Sequence, residues 1–199
     1  CSWGGGGYSG SEQAVINNAH NNYGAVVLSS AGNDSYNLDE AGYTAYPAEY
    51  ENVINVAASN CSGSKASFSN YRESVDLSSP GVGVLSTVMN GSYDYYDGTS
   101  MASPNAASCV GLLKSFHPEM DNDDLIERIL FTADEYIYNE GLNENYQGQL
   151  GQGMVDCHKA IGYDIVPSIV YIEQNLIPLS GDGDNVVNPG ESAQLAILL

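Results

Sequence analysis

The residues best suited to chemistry are Gly98-Thr99-Ser100-Met101-Ala102-Ser103-Pro104. A serine stands between a glycine turn and a run of small and apolar residues that reads as a buried helix. That puts its hydroxyl at a helix N-terminus, where free N–H groups and the helix dipole stabilise developing negative charge. Gly98 permits a tight backbone just before it. Taken alone, a serine at a helix start is a cap, and a nucleophile also needs a base. The chain has three histidines. His20 falls on a predicted helix surface, His117 at a helix end beside Pro118, and His158 just beyond Gly151-Gln152-Gly153. None has a setting that marks it as the base. The four cysteines, Cys1, Cys61, Cys109 and Cys157, form no C-x-x-C pair, which argues against zinc. Their even number fits disulfides in an oxidising compartment. Cys109, inside a predicted helix, serves equally well as a small core hydrophobe.

The framework around Ser100 follows from hydrophobic pattern. Residues 11–23 predict an amphipathic helix, with Ser11 as N-cap, Ala14, Val15, Asn18, Ala19 and Asn22 near the helical period, and Gly24 as the stop. Ala25-Val26-Val27-Leu28-Ser29 and Val53-Ile54-Asn55-Val56-Ala57 are short continuous runs, as expected of strands buried on both faces. Helix followed by buried strand predicts an α/β domain, a parallel sheet with helices on both faces. Residues 98–116 predict a central buried helix, with Pro104 tolerated near its start and His117-Pro118 ending it. Asp121-Asn122-Asp123-Asp124 opens a further helix through Leu125, Ile126 and Ile129, with acids at its positive end.

Past Gly162 the texture changes to β-branched alternation, an acidic turn-rich stretch, and a strand-like run from Ser192 to Leu199. This predicts two domains, 1–163 and 164–199, the second being a linker and the first strands of a truncated β-sandwich-like, all-β module. Asp182, Asp184, Asn188 and Glu191 place oxygen ligands at short intervals around glycines, loosely like a calcium loop. They lack the full EF-hand pattern, and an acidic turn without metal accounts for the same residues.

The 199 residues, 43% of them hydrophobic, suffice for a domain with a real core. Five Lys+Arg against 25 Asp+Glu give a net charge of -20, which repels phosphate backbones and excludes nucleic acid as partner. So few cations leave stability to packing, disulfides or bound cations. No stretch is long and apolar enough to span a membrane. The chain opens on Cys1 without a leader and closes on the uncapped run Ala196-Ile197-Leu198-Leu199. Both ends read as cut from a longer precursor.

The stretch around Ser100 resembles the nucleophile motif of the subtilisin-like serine proteases (subtilases, peptidase family S8). The resemblance continues in order from Cys1 to about Tyr163. Ser2-Trp3-Gly4-Gly5 is similar to the family's substrate-binding strand, and Ser30-Ala31-Gly32-Asn33-Asp34 to its oxyanion segment. Tyr46-Pro47-Ala48 resembles a turn that often holds a cis proline. Ala66-Ser67-Phe68-Ser69-Asn70 and Ser79-Pro80-Gly81-Val82 resemble linking strands, and Gly151-Gln152-Gly153-Met154-Val155-Asp156 the closing segment.

The resemblance implies a three-layer parallel-sheet fold, present in part, and a secreted serine endopeptidase acting on polypeptides. Ser100 would be the acylated nucleophile, and Asn33 would donate its amide N–H to the oxyanion beside the Ser100 backbone N–H. Read alone, Asn33 is a turn residue after Gly32. Ser2, Trp3 and Gly4 would pair with an extended substrate, Gly5 would keep that edge open, and Ala31, Gly32 and Ala45 would line the pocket before the scissile bond. Trp3 serves equally as a core residue. Small residues suggest a roomy pocket for a large apolar side chain; Asp34 at the rim would favour a basic one, or is solvated surface. The family's Asp and His would lie before Cys1, so the segment alone would be inactive. Asn105 stands where many relatives have His, inside the helix, and Asp97 where Asn is common, either raising the histidine's pKa or solvated. The chemistry needs no cofactor. The family often binds structural calcium through backbone carbonyls at the positions of Ala48, Tyr50 and Val53. A pro-domain or C-terminal modules are the expected partners in the parent chain. The alternatives are a pseudoprotease or peptide-binding module of the same fold, and the acidic relatives that use Glu and an oxyanion Asp, against which Asn33 argues.

Overall fold

Helix α1 is Gly10–Tyr23, and its cap is Ser9 rather than Ser11: the Ser9 side chain accepts from the Glu12 N–H. Gly24 ends it in the left-handed conformation. Its buried face is Gln13, Ile16 and His20. The sequence pattern through Ala14 and Val15 had pointed to a different face, and Val15 is exposed. The polar residues Gln13 and His20 turn inward because they have partners there: Gln13 bonds Glu51 at both ends of its amide.

The computed structural model describes residues 1–37 and 44–162, and the backbone of two further strands. The chain divides into two compact units, Cys1–Tyr163 and Asp164–Leu199. In the first, β1 (Val27–Ser30), β2 (Val53–Ser59) and β3 (Leu77–Pro80) form a parallel sheet in that order. Val27 is opposite Val53, and Val56 opposite Leu77. A hairpin of β4 (Val84–Val88) and β5 (Ser92–Tyr96) follows. It leads into α2 (Thr99–Phe116), then α3 (Asn122–Phe131) and α4 (Cys157–Gly162). Asp121 caps α3 in a reciprocal capping box with Asp124. In the second unit, β6 (Glu173–Ser180) and β7 (Ser192–Leu198) pair antiparallel. Asp182, Asp184, Asn188 and Glu191 lie outside the described residues.

Alternation along β2 separates two cores. Ile54, Val56 and Ala58 join Leu28 and Leu77 against Ala102, Ala106, Val110 and Leu113 of α2 and Leu125 and Ile129 of α3. Ala57 faces the other way, with Ala31, Val75, Ile137, Leu150 and Met154. The strands are thus buried on both faces, as their continuous apolar runs require. The expectation of a buried helix over 98–116 is corrected toward the end of α2, where Leu112 and Phe116 are exposed. Cys109 of α2 is bonded to Cys157 of α4, with Cα atoms 5.3 Å apart. Cys1 and Cys61 are free and exposed.

Candidate active site

The C-terminal ends of β1 and β3 and the start of α2 meet at one edge of the sheet. Gly81, just after β3, receives the Gly98 N–H on its carbonyl at 2.8 Å and donates to Ser59 O at 2.9 Å. A Cβ on Gly81 would lie 2.7 Å from both Ala58 Cβ and Gly98 O. Only glycine lets the turn before Ser100 come this close to β2. Gly98 is then the N-cap of α2, which leaves the Ser100 N–H among the unpaired donors of the first turn.

Two elements far apart in sequence fix the orientation of Asn33. Its Oδ1 accepts from the Thr99 N–H at 2.9 Å and from Thr99 Oγ1 at 2.8 Å. Thr99 Oγ1 in turn accepts from the Gly32 N–H at 3.2 Å. With its oxygen engaged, Asn33 presents Nδ2 on the other side. A methyl group built on Gly98 would lie 3.7 Å from Asn33 Nδ2 and 3.5 Å from the Ser100 nitrogen. Two donors therefore border one small space beside Gly98, with Met101 Sδ 3.4 Å from the same point. That arrangement suits a tetrahedral oxyanion, and an amide provides the donation without titrating.

Ser100 is half-buried and Asn33 exposed. The Ser100 hydroxyl donates to Ser2 O at 3.1 Å, and the Ser2 hydroxyl donates to Ser100 O at 2.8 Å. Cys1 is held against β1: its amino group donates to Leu28 O, and the Ser30 N–H to Cys1 O. Gly5 N–H donates to Tyr46 O at 3.0 Å, and a Cβ on Gly4 would lie 3.2 Å from that same oxygen. The Tyr46–Pro47 peptide bond is cis.

A cleft of about 240 Å³ opens at Ser100 and Asn33. Of the substrate residues inferred from sequence, Trp3, Gly4, Gly5, Gly32, Asp34 and Ala45 line it. Ser2 lies against Ser100, and the Ala31 side chain is fully buried in the second core. Thr99 and Asn70 also line the cleft. Sequence reasoning gave neither a role, although both stand inside quoted motifs. The available signal was a hydrogen-bonding side chain directly adjoining a functional stretch, which says nothing about which way it turns.

One peripheral expectation changes. His20 is buried, bonded to Asn122 and 3.1 Å from Asp123, rather than on the surface. His117 meets Ile161 O at 3.0 Å and His158 is exposed; no histidine lines the cleft. Asn105 lies within α2 as expected and is half-buried, and its Nδ2 ties α2 to Pro80 O at the end of β3. Asp97 accepts from the Gly83 N–H. Among the described residues no group of three His, Cys, Asp or Glu could hold a metal. Near Ala48, Tyr50 and Val53 a cation would depend on backbone carbonyls, an all-oxygen donor set that suits calcium; the Glu49 carboxylate nearby is paired with Arg72.

Residues 1–153 match the model of the subtilase family, Peptidase S8. An extracellular protease of Xanthomonas campestris is 40% identical over 165 residues, 79% of this chain and 27% of that protein. The halolysin-like extracellular serine protease Nep of Natrialba magadii is 38% identical over 141 residues, 71% of this chain and 24% of that protein. Subtilisin amylosacchariticus of Bacillus subtilis is 37% identical over 143 residues, 69% of this chain and 37% of that protein. The chain thus spans about a quarter to somewhat over a third of these relatives' lengths. Among solved structures, a protease from Pseudoalteromonas arctica is similar with a TM-score of 0.70 and 32% identity, over 81% of this chain and 49% of that one. Sequence and fold, together with the convergence of Ser100, Asn33 and Thr99 on one cleft, agree: the chain belongs to the subtilase family of serine proteases.

Proposed function

We propose that this chain is the nucleophile-bearing part of a secreted subtilisin-like serine endopeptidase that hydrolyses polypeptides. Ser100 Oγ attacks the scissile carbonyl carbon, and the carbonyl oxygen becomes the oxyanion facing Asn33 Nδ2 and the Ser100 N–H. Collapse expels the amine and leaves an acyl-enzyme, which water then hydrolyses. The observation that carries this reading is the pair of donors beside Gly98, with Asn33 Oδ1 already bonded to Thr99. The reading places the general base and its carboxylate partner upstream of Cys1 in the parent protein. It takes the exposed Trp3-Gly4-Gly5 segment as the edge along which an extended substrate pairs. Asp34 and Ala45 border the pocket for the residue before the scissile bond. The two domains at 1–163 and 164–199, and pro-domain or C-terminal modules as partners, belong to the same reading.

Secretion is supported by the extracellular relatives and by the disulfide. Among the described residues no helix is long and apolar enough to cross a membrane. A structural calcium ion held by carbonyls of Ala48, Tyr50 and Val53 is part of the proposal. Chelation with EDTA is expected to lower the melting temperature and calcium to restore it.

The decisive experiment is labelling of the full-length protein with a fluorophosphonate. The expected result is one adduct on Ser100, lost in Ser100→Ala. A folded protein that forms no adduct is instead a peptide-binding module.

A further inference from the structure

Asn70 is completely buried, and its side-chain amide and backbone N–H face the segment that carries Asn33. Its Nδ2 donates to Ala31 O at 3.0 Å, and its backbone N–H to Gly32 O at 3.0 Å. Its Oδ1 accepts from the Asp34 and Tyr36 N–H groups, each at 3.0 Å. Ser35 N–H donates to Phe68 O at 2.8 Å, two residues earlier on the same turn. Asn33 to Tyr36 are exposed and form no regular element. Without such partners they would sample many conformations. Asn70 therefore does for this segment what a neighbouring strand does for a strand.

Gly32 is matched to it. Its φ is +100°, and a Cβ there would lie 2.4 Å from Asn70 Nδ2. The buried amide occupies the space that the missing side chain leaves. The turn presenting Asn70 is itself held. Ser69 Oγ accepts from the Ala58 N–H of β2 and donates to Asn70 O, both at 2.9 Å. The Lys65 ammonium donates to Ala66 O at 3.0 Å and Ser69 O at 2.7 Å. It stands 5.0 Å from the ring centres of both Tyr71 and Tyr146.

We propose that Asn70 is a positioning residue of the oxyanion site: it sets the course of residues 31–36 and so the aim of the Asn33 amide, while Lys65 braces the turn that presents it. The proposal rests on the endopeptidase reading for its kinetic test. Thr99 orients the Asn33 side chain, and Asn70 holds the backbone before and after it. A carboxamide is suited to this because it donates and accepts at once, with no charge to desolvate.

The test uses the full-length enzyme with kcat, KM and the affinity of a peptide boronic acid, which forms a tetrahedral adduct on the serine hydroxyl. In Asn70→Ala, kcat is expected to fall about ten- to a hundredfold, with KM within about twofold, somewhat less than loss of an oxyanion donor itself. Boronate affinity should fall in parallel. Adding Asn33→Ala to Asn70→Ala should cost little more than Asn33→Ala alone, since both act through one amide. Losses that multiply, or an Asn70→Ala enzyme that is less heat-stable but keeps its kcat, would overturn the proposal. If Asn70→Ala does not fold, Lys65→Met decides: a several-fold loss of kcat, recovered in Lys65→Arg, is expected, and an unchanged kcat overturns it. If the unsubstituted enzyme fails to label with fluorophosphonate, the endopeptidase reading falls separately. The positioning claim is then read from the Asn33 side-chain amide resonance. It should shift or broaden in Asn70→Ala or Lys65→Met; an unmoved resonance refutes the claim.

Discussion

Thr99 directs both of its donors, backbone N–H and hydroxyl, to a single atom, Asn33 Oδ1. This settles which end of the Asn33 amide faces the cleft. Removing the hydroxyl in Thr99→Val leaves the N–H contact but lets the amide rock. The expected outcome is a fall in kcat of about tenfold with little change in KM, recovered in Thr99→Ser, since the contact matters only when the oxyanion forms. Asn33→Ala should cost more, about 10²–10³-fold in kcat, which is the loss known for one such donor in subtilisin itself. Steady-state kinetics on one peptide substrate checks both. A rise in KM with kcat preserved would mean that these residues bind ground-state substrate instead.

Among the elements, the nucleophile helix is fixed at its start and at its middle. At its start, Gly81 brings the Gly98 turn onto β2. At its middle, Cys109 bridges to Cys157 of α4 across a separation of 48 residues. Closing a loop of that length stabilises chiefly by restricting the unfolded chain, by about 4 kcal/mol in the entropic account. Replacing both cysteines with alanine is expected to lower unfolding free energy by about 2–5 kcal/mol, measured by urea denaturation. Gly81→Ala forces β2 and the Gly98 turn apart and is expected to abolish Ser100 labelling. At the start of α4, Lys159 donates to Asp134 at 2.7 Å, and this hydrogen bond holds the Asp134 carboxyl below its ordinary value of 3.8. Its folded value is thus below its unfolded one. The stabilisation is present above the unfolded value and is lost as pH falls through the folded value. Wild type should therefore unfold at higher urea than Asp134→Asn near pH 6, and the difference should shrink progressively below about pH 4. A gap that persists into strong acid would show that charge is not its cause.

For the whole molecule, the net charge of -20 sets the dominant long-range term. Few of the 25 acidic residues can find one of five Lys or Arg partners, and three of those cations are partly committed to backbone carbonyls: Lys65, Lys114 and Arg128. Self-repulsion then disfavours the compact state and is screened by salt. Melting temperature is expected to rise between about 0.05 and 1 M NaCl, since the Debye length shrinks to about 3 Å at 1 M. A flat response in sodium chloride, with a rise only on adding calcium, would assign the stability to bound cations rather than to screening.

The parallel strands, the nucleophile helix, its N-terminal serine and the family motifs were legible in the sequence, because each is encoded locally. Continuous apolar runs at 25–29 and 53–57 mark strands covered on both faces, and a glycine before a small-residue run marks a helix that begins close to other backbone. The buried face of α1 was not legible, since Gln13 and His20 are buried only because Glu51, Asn122 and Asp123 meet them. Nor were the pairing of Cys109 with Cys157, or the roles of Thr99 and Asn70. A side chain's hydrogen-bonding capacity is written in its residue type, but its partners lie 34 to 67 residues away in the chain at this site. Residue types and their local order named the groups able to do the chemistry. Their aim came from folding, because it depends on contacts that exist once the sheet has brought distant turns to one edge.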